Sequence, residues 1–409
     1  MARSVNSMKI LIITNFVPYP PTTGAGLRVF NLLKHISQRH EVHLLSLFNP
    51  WRSEDQGVAH LETLCAQVEV ISRRPRSRLE NWRRLLWGTL RGESRRNVLD
   101  YFEGMAERIR ELTEDEHFDV VQIHHTHMAP YVKAISPTNH CCKIWFLHNV
   151  AHVQFQRMML VERDWRVKQK LFLNWLLAKR ATLKYARLFD TCIAVSEIDR
   201  DFLKQDVPDL NVVALPGGVD IEDYPFLAEQ SQTPSLLYVG NMHYPPNVDA
   251  VIFFCEEIFP LIKHQVPDVK LLIVGKDPRG SVQALASEDV VVTGYVESVI
   301  PYYQQSLVSV VPLRAGGGTR LKIPEAMALG CPVVSTTVGC EGLSVTHGEN
   351  ILIADAPADF ATQTVRLLQD EALRQRIAVN GRRLVETTYD WRAVAQRLMW
   401  VYEQVVDER

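Results

Sequence analysis

Short runs of β-branched residues and leucine alternate along the chain with longer stretches whose apolar positions recur at helical spacing. Parallel sheets covered by helices produce this pattern. In the first half the runs predict strands at 9–14, 41–47, 68–71, 119–123, 142–147 and 191–195. Several are apolar at every position, as strands buried on both faces are. Helical periodicity falls between them, for example at 27–37 and at 196–205, where Ser196 stands in N-cap position. Pro216-Gly217-Gly218-Val219-Asp220 interrupts the alternation, which then restarts with strands expected at 236–239, 269–274, 290–293, 307–311 and 332–335. The expectation is an α/β protein with two doubly wound domains, 1–215 and 216–389. An amphipathic helix carrying Trp391, Leu398, Trp400 and Tyr402 closes the chain, and the segment 390–409 is expected to pack back on the first domain. Ligands of such sheets bind beyond the strand carboxyl ends, so the expected site is a cleft that both domains face.

A length of 409 residues fits two domains, and 46% hydrophobic with 22% charged residues is a globular composition. The net charge of −2 gives the whole molecule no pull toward nucleic acid or anionic lipid, so any such attraction must be local. Seven cysteines, an odd number without a Cys-x-x-Cys pair, point to a reducing compartment and away from zinc. No run approaches the roughly 20 apolar residues of a membrane span, and the N-terminal apolar run 10–13 is too short for a signal-peptide core. A cytoplasmic protein is expected.

The densest chemistry lies in Arg314-Ala-Gly316-Gly317-Gly318-Thr319-Arg320-Leu-Lys322-Ile-Pro-Glu325-Ala-Met-Ala-Leu-Gly330-Cys-Pro-Val-Val. A strand ends near Pro312, three glycines open a loop, and a helix is expected from near Thr319. Amides at a helix start suit phosphate oxygens, and glycines let backbone approach a ligand. Arg320 and Lys322 add positive charge in the first turn. Glu325, nearly two turns in, can accept two hydrogen bonds from a ribose diol. The alternative is a glycine-rich turn with a solvated basic helix start.

Three further places carry polar residues at strand ends. Gly240-Asn241-Met-His243-Tyr-Pro-Pro-Asn247 follows the first strand of the second half, where both asparagines also suit turn formation and capping. Asn15-Phe-Val-Pro-Tyr-Pro-Pro-Thr-Thr-Gly24-Ala-Gly26-Leu-Arg28 follows the first strand of the chain, with Arg28 the nearby cation. His148 and Asn149 end the run 144–147, where an imidazole can donate to a hydroxyl or relay a proton. His124 and His125 end the preceding strand in a similar way.

Taken in order and spacing, these motifs resemble glycosyltransferase family 4, from about Lys9 to Arg397, in a branch with the Gly-Gly-Gly-Thr-Arg-Leu-Lys form. The resemblance implies the GT-B fold of two Rossmann-like domains and a retaining, hexosyltransferase-like enzyme acting on a nucleotide diphosphate sugar. It implies donor binding by Gly24, Gly26, Asn241, Gly316, Gly317, Gly318, Thr319, Glu325 and Tyr295, and an active-site role for His148. The family's usual pair of glutamates is reduced here to Glu325, with Gly317 at the first position. Its usual diphosphate-binding Arg and Lys are replaced by Asn241 and Asn247, so Arg320 and Lys322 are expected to supply that charge. The base would lie near Gly275, Lys276 and 293–296. Asp220, Glu222 and Asp223 read as a solvated loop, and the resemblance implies a diphosphate held by amides and cations, so neither metal nor cofactor is expected. The acceptor is expected to be a glycan, a lipid-linked sugar or a small molecule. Other readings are a nucleotide-sugar epimerase, an inverting transferase, or a non-catalytic nucleotide-sugar-binding partner subunit. A dehydrogenase is disfavoured by the absence of Gly-x-Gly-x-x-Gly after the first strand.

Two basic, aromatic stretches remain. Residues 73–96 hold nine arginines against two glutamates, with Leu79, Trp82, Leu86 and Leu90 at helical spacing. Residues 157–187 hold nine Lys or Arg against two acids, with Trp165, Leu171, Phe172, Trp175 and Leu176. Such helices suit the anionic inner face of a membrane. Equally, the apolar residues can pack on the sheet and leave the arginines solvated. No recognition motif for nucleic acid accompanies the charge.

Overall fold

The computed structural model describes residues 7–21, 23–48, 55–73, 76–161, 164–227, 233–276, 278, 280–315 and 320–408. The chain divides into two compact units, Met1–Pro216 together with Val394–Arg409, and Gly217–Ala393. Each is built on one parallel sheet.

In the first unit the strands are β1 (Lys9–Thr14), β2 (Glu41–Phe48), β3 (Gln67–Ser72), β4 (Val120–His124), β5 (Cys142–Phe146), β6 (Thr191–Ala194) and β7 (Val212–Ala214). Their spatial order is β3-β2-β1-β4-β5-β6-β7, and every pairing is parallel. β1 is central, with Ile10 level with Val42 on one side and Val120 on the other. That position explains its unbroken apolar run, since Ile10 to Ile13 are at most 1% exposed.

The second unit repeats the plan with β8 (Ser235–Val239), β9 (Lys270–Val274), β10 (Val290–Gly294), β11 (Val308–Val311), β12 (Val333–Ser335) and β13 (Leu352–Ile353), in the order β10-β9-β8-β11-β12-β13. Strand order reverses between β1 and β4 in one sheet and between β8 and β11 in the other. Crevices open beyond the carboxyl ends at such switch points, and the polar motifs lie there.

The eleven strands expected from the sequence all form, with ends shifted by one or two residues at most. β7 and β13 go beyond that expectation, because three or two residues are too few to show a period, and tertiary pairing creates them. Two helix starts differ from expectation. The first helix is Gly24–Ile36, so Gly24 and Gly26 belong to its first turn and not to a preceding loop. Thr23 caps it, its hydroxyl accepting the Gly26 N–H at 3.1 Å. The helix after the glycine triplet is Lys322–Ala328, so Arg320 precedes it and Glu325 lies in its first turn. The closing helix, Trp391–Asp407, crosses the boundary between units: Trp391 N–H bonds Val219 O in the second, while Tyr402 and Val405 bond within the first.

Candidate functional site

Beyond β8 the second unit gathers a compact polar corner. The Lys322 ammonium donates to the Asn247 Oδ1 at 3.0 Å and to the Tyr238 hydroxyl at 3.1 Å, and lies 4.3 Å from the centre of the Tyr238 ring. Tyr238 itself donates to Asn247 Oδ1 at 2.8 Å, and Asn247 Nδ2 donates to the Asn241 carbonyl at 2.9 Å. These bonds join the end of β8, the first turn of the helix Pro245–Phe253 and the start of the helix Lys322–Ala328. Two glycines make room for them. A Cβ on Gly240 would lie 3.1 Å from Lys322 Nζ, and one on Gly275 would fall 1.6 Å from the Gly240 carbonyl oxygen.

The environment sets the charge of this corner. Burial, with the Arg320 guanidinium nearby, lowers the Lys322 pKa from its ordinary value to about 7, against a smaller opposing pull from Glu325. Burial raises the Glu325 carboxyl, while Lys322 and a hydrogen bond from Tyr224 favour its ionised form. Arg320 is 6% exposed; its guanidinium donates to the Val338 carbonyl at 3.3 Å and lies 4.0 Å from the Glu341 carboxylate.

The remaining expected donor residues are less concentrated. Asn241 uses its side-chain oxygen to accept the His243 N–H at 2.9 Å, a local turn that leaves its Nδ2 as the available donor. Tyr295 is 75% exposed beyond β10, next to Gly294, whose φ of +76° suits glycine. Gly316, Gly317, Gly318 and Thr319 lie outside the described residues. Among the described residues no group of three or more His, Cys, Asp or Glu side chains is arranged to hold a metal.

The first unit answers with histidines beyond β4 and β5. His124, the last residue of β4, places Nδ1 3.0 Å from His148 Nε2 and Nε2 2.8 Å from Gln122 Nε2. His125 follows with φ of +69°, a conformation uncommon outside glycine. Its amide donates to the Phe146 carbonyl and its carbonyl accepts the Trp145 indole N–H, which fixes the turn against β5. The His125 ring stacks on His148 at 4.2 Å and on His127 at 5.2 Å. Arg28, 4% exposed, lies 5.9 Å from the Phe146 ring centre, with Asp199 as its opposing charge. Burial above all, then the neighbouring rings and Arg28, holds His124 and His148 well below the usual imidazole range. His125 and His127 fall to about 3. Four neutral imidazoles can donate and accept hydrogen bonds but carry no charge.

Sequence reasoning singles out Lys322, Glu325 and His148 but misses Tyr238, Tyr224, Gln122 and Tyr402. Gln122, a polar residue within an otherwise apolar strand, is a readable signal. The three tyrosines are not, because each sits where an aromatic residue would pack in any case.

Two family models match the chain: "Glycosyltransferase Family 4" over residues 22–223 and "Glycosyl transferases group 1" over 233–370. Between them they leave only the termini and a short connector uncovered. A Klebsiella pneumoniae protein named for its place in a cps region is 23% identical over 94% of this chain and 97% of its own length. The Mycobacterium tuberculosis phosphatidyl-myo-inositol mannosyltransferase is 28% identical over 52% of this chain and 59% of that enzyme. Staphylococcus aureus CapM, a capsular polysaccharide biosynthesis glycosyltransferase, is 28% identical over 42% of this chain and 46% of its own. In fold, the chain is similar to sucrose-phosphate synthase from Thermosynechococcus elongatus, with TM-score 0.70, 17% identity and coverage of 98% and 100%. It is also similar to Anabaena HepE in complex with UDP and glucose, with TM-score 0.62, 16% identity and coverage of 97% and 100%.

Proposed function

Because the chain belongs to glycosyltransferase family 4 and has the GT-B fold, we propose that it is a retaining, metal-independent transferase using a nucleotide diphosphate sugar. The observation that carries this reading is the Lys322 ammonium, held against Tyr238 and Asn247 where the usual family cations are absent. As the sugar–oxygen bond breaks, the leaving diphosphate gains negative charge, and a positioned cation stabilises that state more than the ground state. Lys322 supplies that charge, and Arg320 supports it electrostatically. Glu325 accepts from the ribose diol, and His148 hydrogen-bonds the donor sugar. The first-turn glycines Gly24 and Gly26, Asn241, the loop 316–319 and Tyr295 complete donor binding. Calorimetry with UDP, GDP and ADP tests the reading. One diphosphate should bind, its sugar ester should be slowly hydrolysed without acceptor, and EDTA should leave that turnover intact. No binding of any of the three, or activity lost to EDTA and restored by Mg²⁺, would overturn it.

The acceptor is a glycan or a lipid-linked sugar, made at the inner face of a membrane. The names of the mycobacterial and staphylococcal relatives support a lipid or glycan acceptor, and the surface of the first unit supports the membrane. No helix among the described residues is long and apolar enough to cross a membrane. The helix Arg78–Leu90, however, does not pack its apolar stripe on the sheet. Leu79, Trp82, Leu86, Trp87 and Leu90 are all exposed, as are Arg78, Arg83, Arg91, Arg95 and Arg96. In the helix Trp165–Ala186, Trp165, Phe172 and Leu173 are exposed, while Leu177, Ala181 and Tyr185 are buried. The arginines complement anionic headgroups beside an apolar face of matching length. Phosphatidylglycerol vesicles should sediment the protein and phosphatidylcholine vesicles should not, with release by high salt. Equal failure on both would remove the membrane from the reading.

A further inference from the structure

His148 is one end of a buried hydrogen-bonded chain whose other end, Tyr402, lies in the closing helix. The Tyr402 hydroxyl donates to Gln122 Oε1 at 2.7 Å, Gln122 Nε2 faces His124 Nε2 at 2.8 Å, and His124 Nδ1 faces His148 Nε2 at 3.0 Å. Tyr402 is 0%, Gln122 1% and His124 1% exposed. All four residues lie in the first unit. Near Tyr402, the Cys142 thiol also bonds the Val405 carbonyl, so the closing helix is pinned to β5 at the same place.

The polarity of this chain follows from its far end. A buried phenol must place its proton on an acceptor or lose the full cost of an unmade hydrogen bond. Gln122 Oε1 is the partner present, so the carboxamide oxygen faces Tyr402 and its NH₂ faces His124. His124 Nε2 must then accept, which leaves the His124 proton on Nδ1. That proton is donated to His148 Nε2, which accepts in turn, so the His148 proton also resides on Nδ1. The opposite polarity would strand the phenolic hydrogen in the core.

We propose that Tyr402 and Gln122 are positioning residues that lock His148 as the Nδ1–H tautomer, so that it offers a substrate a neutral hydrogen-bond donor and not a base. Tautomer choice by the partner of the other ring nitrogen is a general property of histidine. Here the choice is imposed through two side chains and a second imidazole, starting from the helix Trp391–Asp407. Burial, and then His125, Arg28 and His127 besides His124, oppose a positive charge on His148, so the ring has no inducement to take a second proton. The ligand this chemistry recognises is an oxygen acceptor, such as a sugar hydroxyl.

Nitrogen-15 NMR of protein labelled at histidine tests the lock, with His148 assigned by its loss in His148→Asn. The wild-type signal should be that of the Nδ1–H tautomer, and an Nε2–H signal would overturn the proposal outright. In Tyr402→Phe the carboxamide is free to turn, and the His148 signal should move toward a tautomer mixture. An unchanged signal in that variant would show that Tyr402 does not set the polarity.

The kinetic arm rests on His148 contacting the donor sugar, whereas the spectroscopic arm holds whatever the substrate. Tyr402→Phe should lose about tenfold in kcat/KM, the worth of one good hydrogen bond, with nucleoside diphosphate affinity unchanged and the melting temperature lowered, because buried Gln122 loses its partner. His148→Asn, whose amide can stand where Nδ1–H stands, should retain more activity than His148→Gln. If Gln rescues and Asn does not, Nε2 is the working atom and the assignment is wrong. A wild-type Nδ1–H signal with equal activity in Asn and Gln variants would keep the lock but remove His148 from the sugar.

Discussion

The polar corner beyond β8 and the imidazole array beyond β4 each lie beside the point where strand order reverses in two sheets of like topology, and they solve burial in opposite ways. In the second unit a lysine keeps an available charge because Tyr238 and Asn247 accept from it and Glu325 lies near, and the remaining cost appears as a pKa of about 7. In the first unit four histidines and Arg28 are crowded together, and the rings respond by giving up charge altogether. One region can answer a developing negative charge, while the other can orient neutral hydroxyls.

The strongest way to break this contrast is to remove the cation. Lys322→Met should lower kcat by about a hundredfold or more, as loss of a transition-state donor does. The melting temperature should hold or rise, because a costly buried ammonium is replaced by an apolar chain of similar size. Normal turnover at saturating donor would move the charge to another residue. Arg320→Ala should also lower kcat strongly, but with a loss of stability, since its guanidinium also ties the chain to Val338.

Next in size is a pH effect belonging to Lys322 alone. The diphosphate binds the ammonium form, so its Kd should rise about tenfold per pH unit above 7, with proton uptake visible by calorimetry in two buffers. Stability runs the other way. Between about 7 and the ordinary lysine value of 10.5 the unfolded chain holds a proton that the folded chain has released, so this group's contribution to stability rises with pH. A flat Kd across that window would show that Lys322 does not meet the ligand.

Glu325→Gln should weaken a nucleoside diphosphate about tenfold but leave inorganic diphosphate unchanged, because only the ribose contact is altered. Equal losses for both would put the carboxylate on the phosphates' side of the site. Asn241→Ala should cost roughly threefold, since its side-chain oxygen is already spent on the His243 turn. Smallest of all is the expected silence of the histidines. Between about pH 5 and 8 no activity step should trace to an imidazole, and one removed by His148→Asn would contradict the neutral array.

Much of this architecture is legible in the amino-acid sequence. The strands from β1 to β12, except β3 and β7, are predominantly apolar runs, and burial on both faces of the central ones leaves few other patterns open to them. Gly240 reads as a strand-end turn, but only the packing shows that a side chain there would meet Lys322. The helix starts at Gly24 and Lys322 escape a sequence reading because glycine-rich segments carry no periodicity, and a capping Thr23 decides the first locally. The apolar residues of 79–90 read equally as core or as membrane-facing; their exposure is a fact of tertiary structure.

The two parallel sheets, the family and the residues that bring charge to the second unit are all readable in the amino-acid sequence. Those properties follow from local composition and from spacing along the chain. Which polar groups share a proton or a lone pair depends instead on long-range packing. Tyr402 and His148 are far apart in sequence, and neither period nor propensity links them. The link exists because the last helix returns to β4, where a buried phenol finds Gln122 as its acceptor. Hydrogen-bond polarity in a core is set by such long-range closure, where every donor must find a partner and no water can substitute.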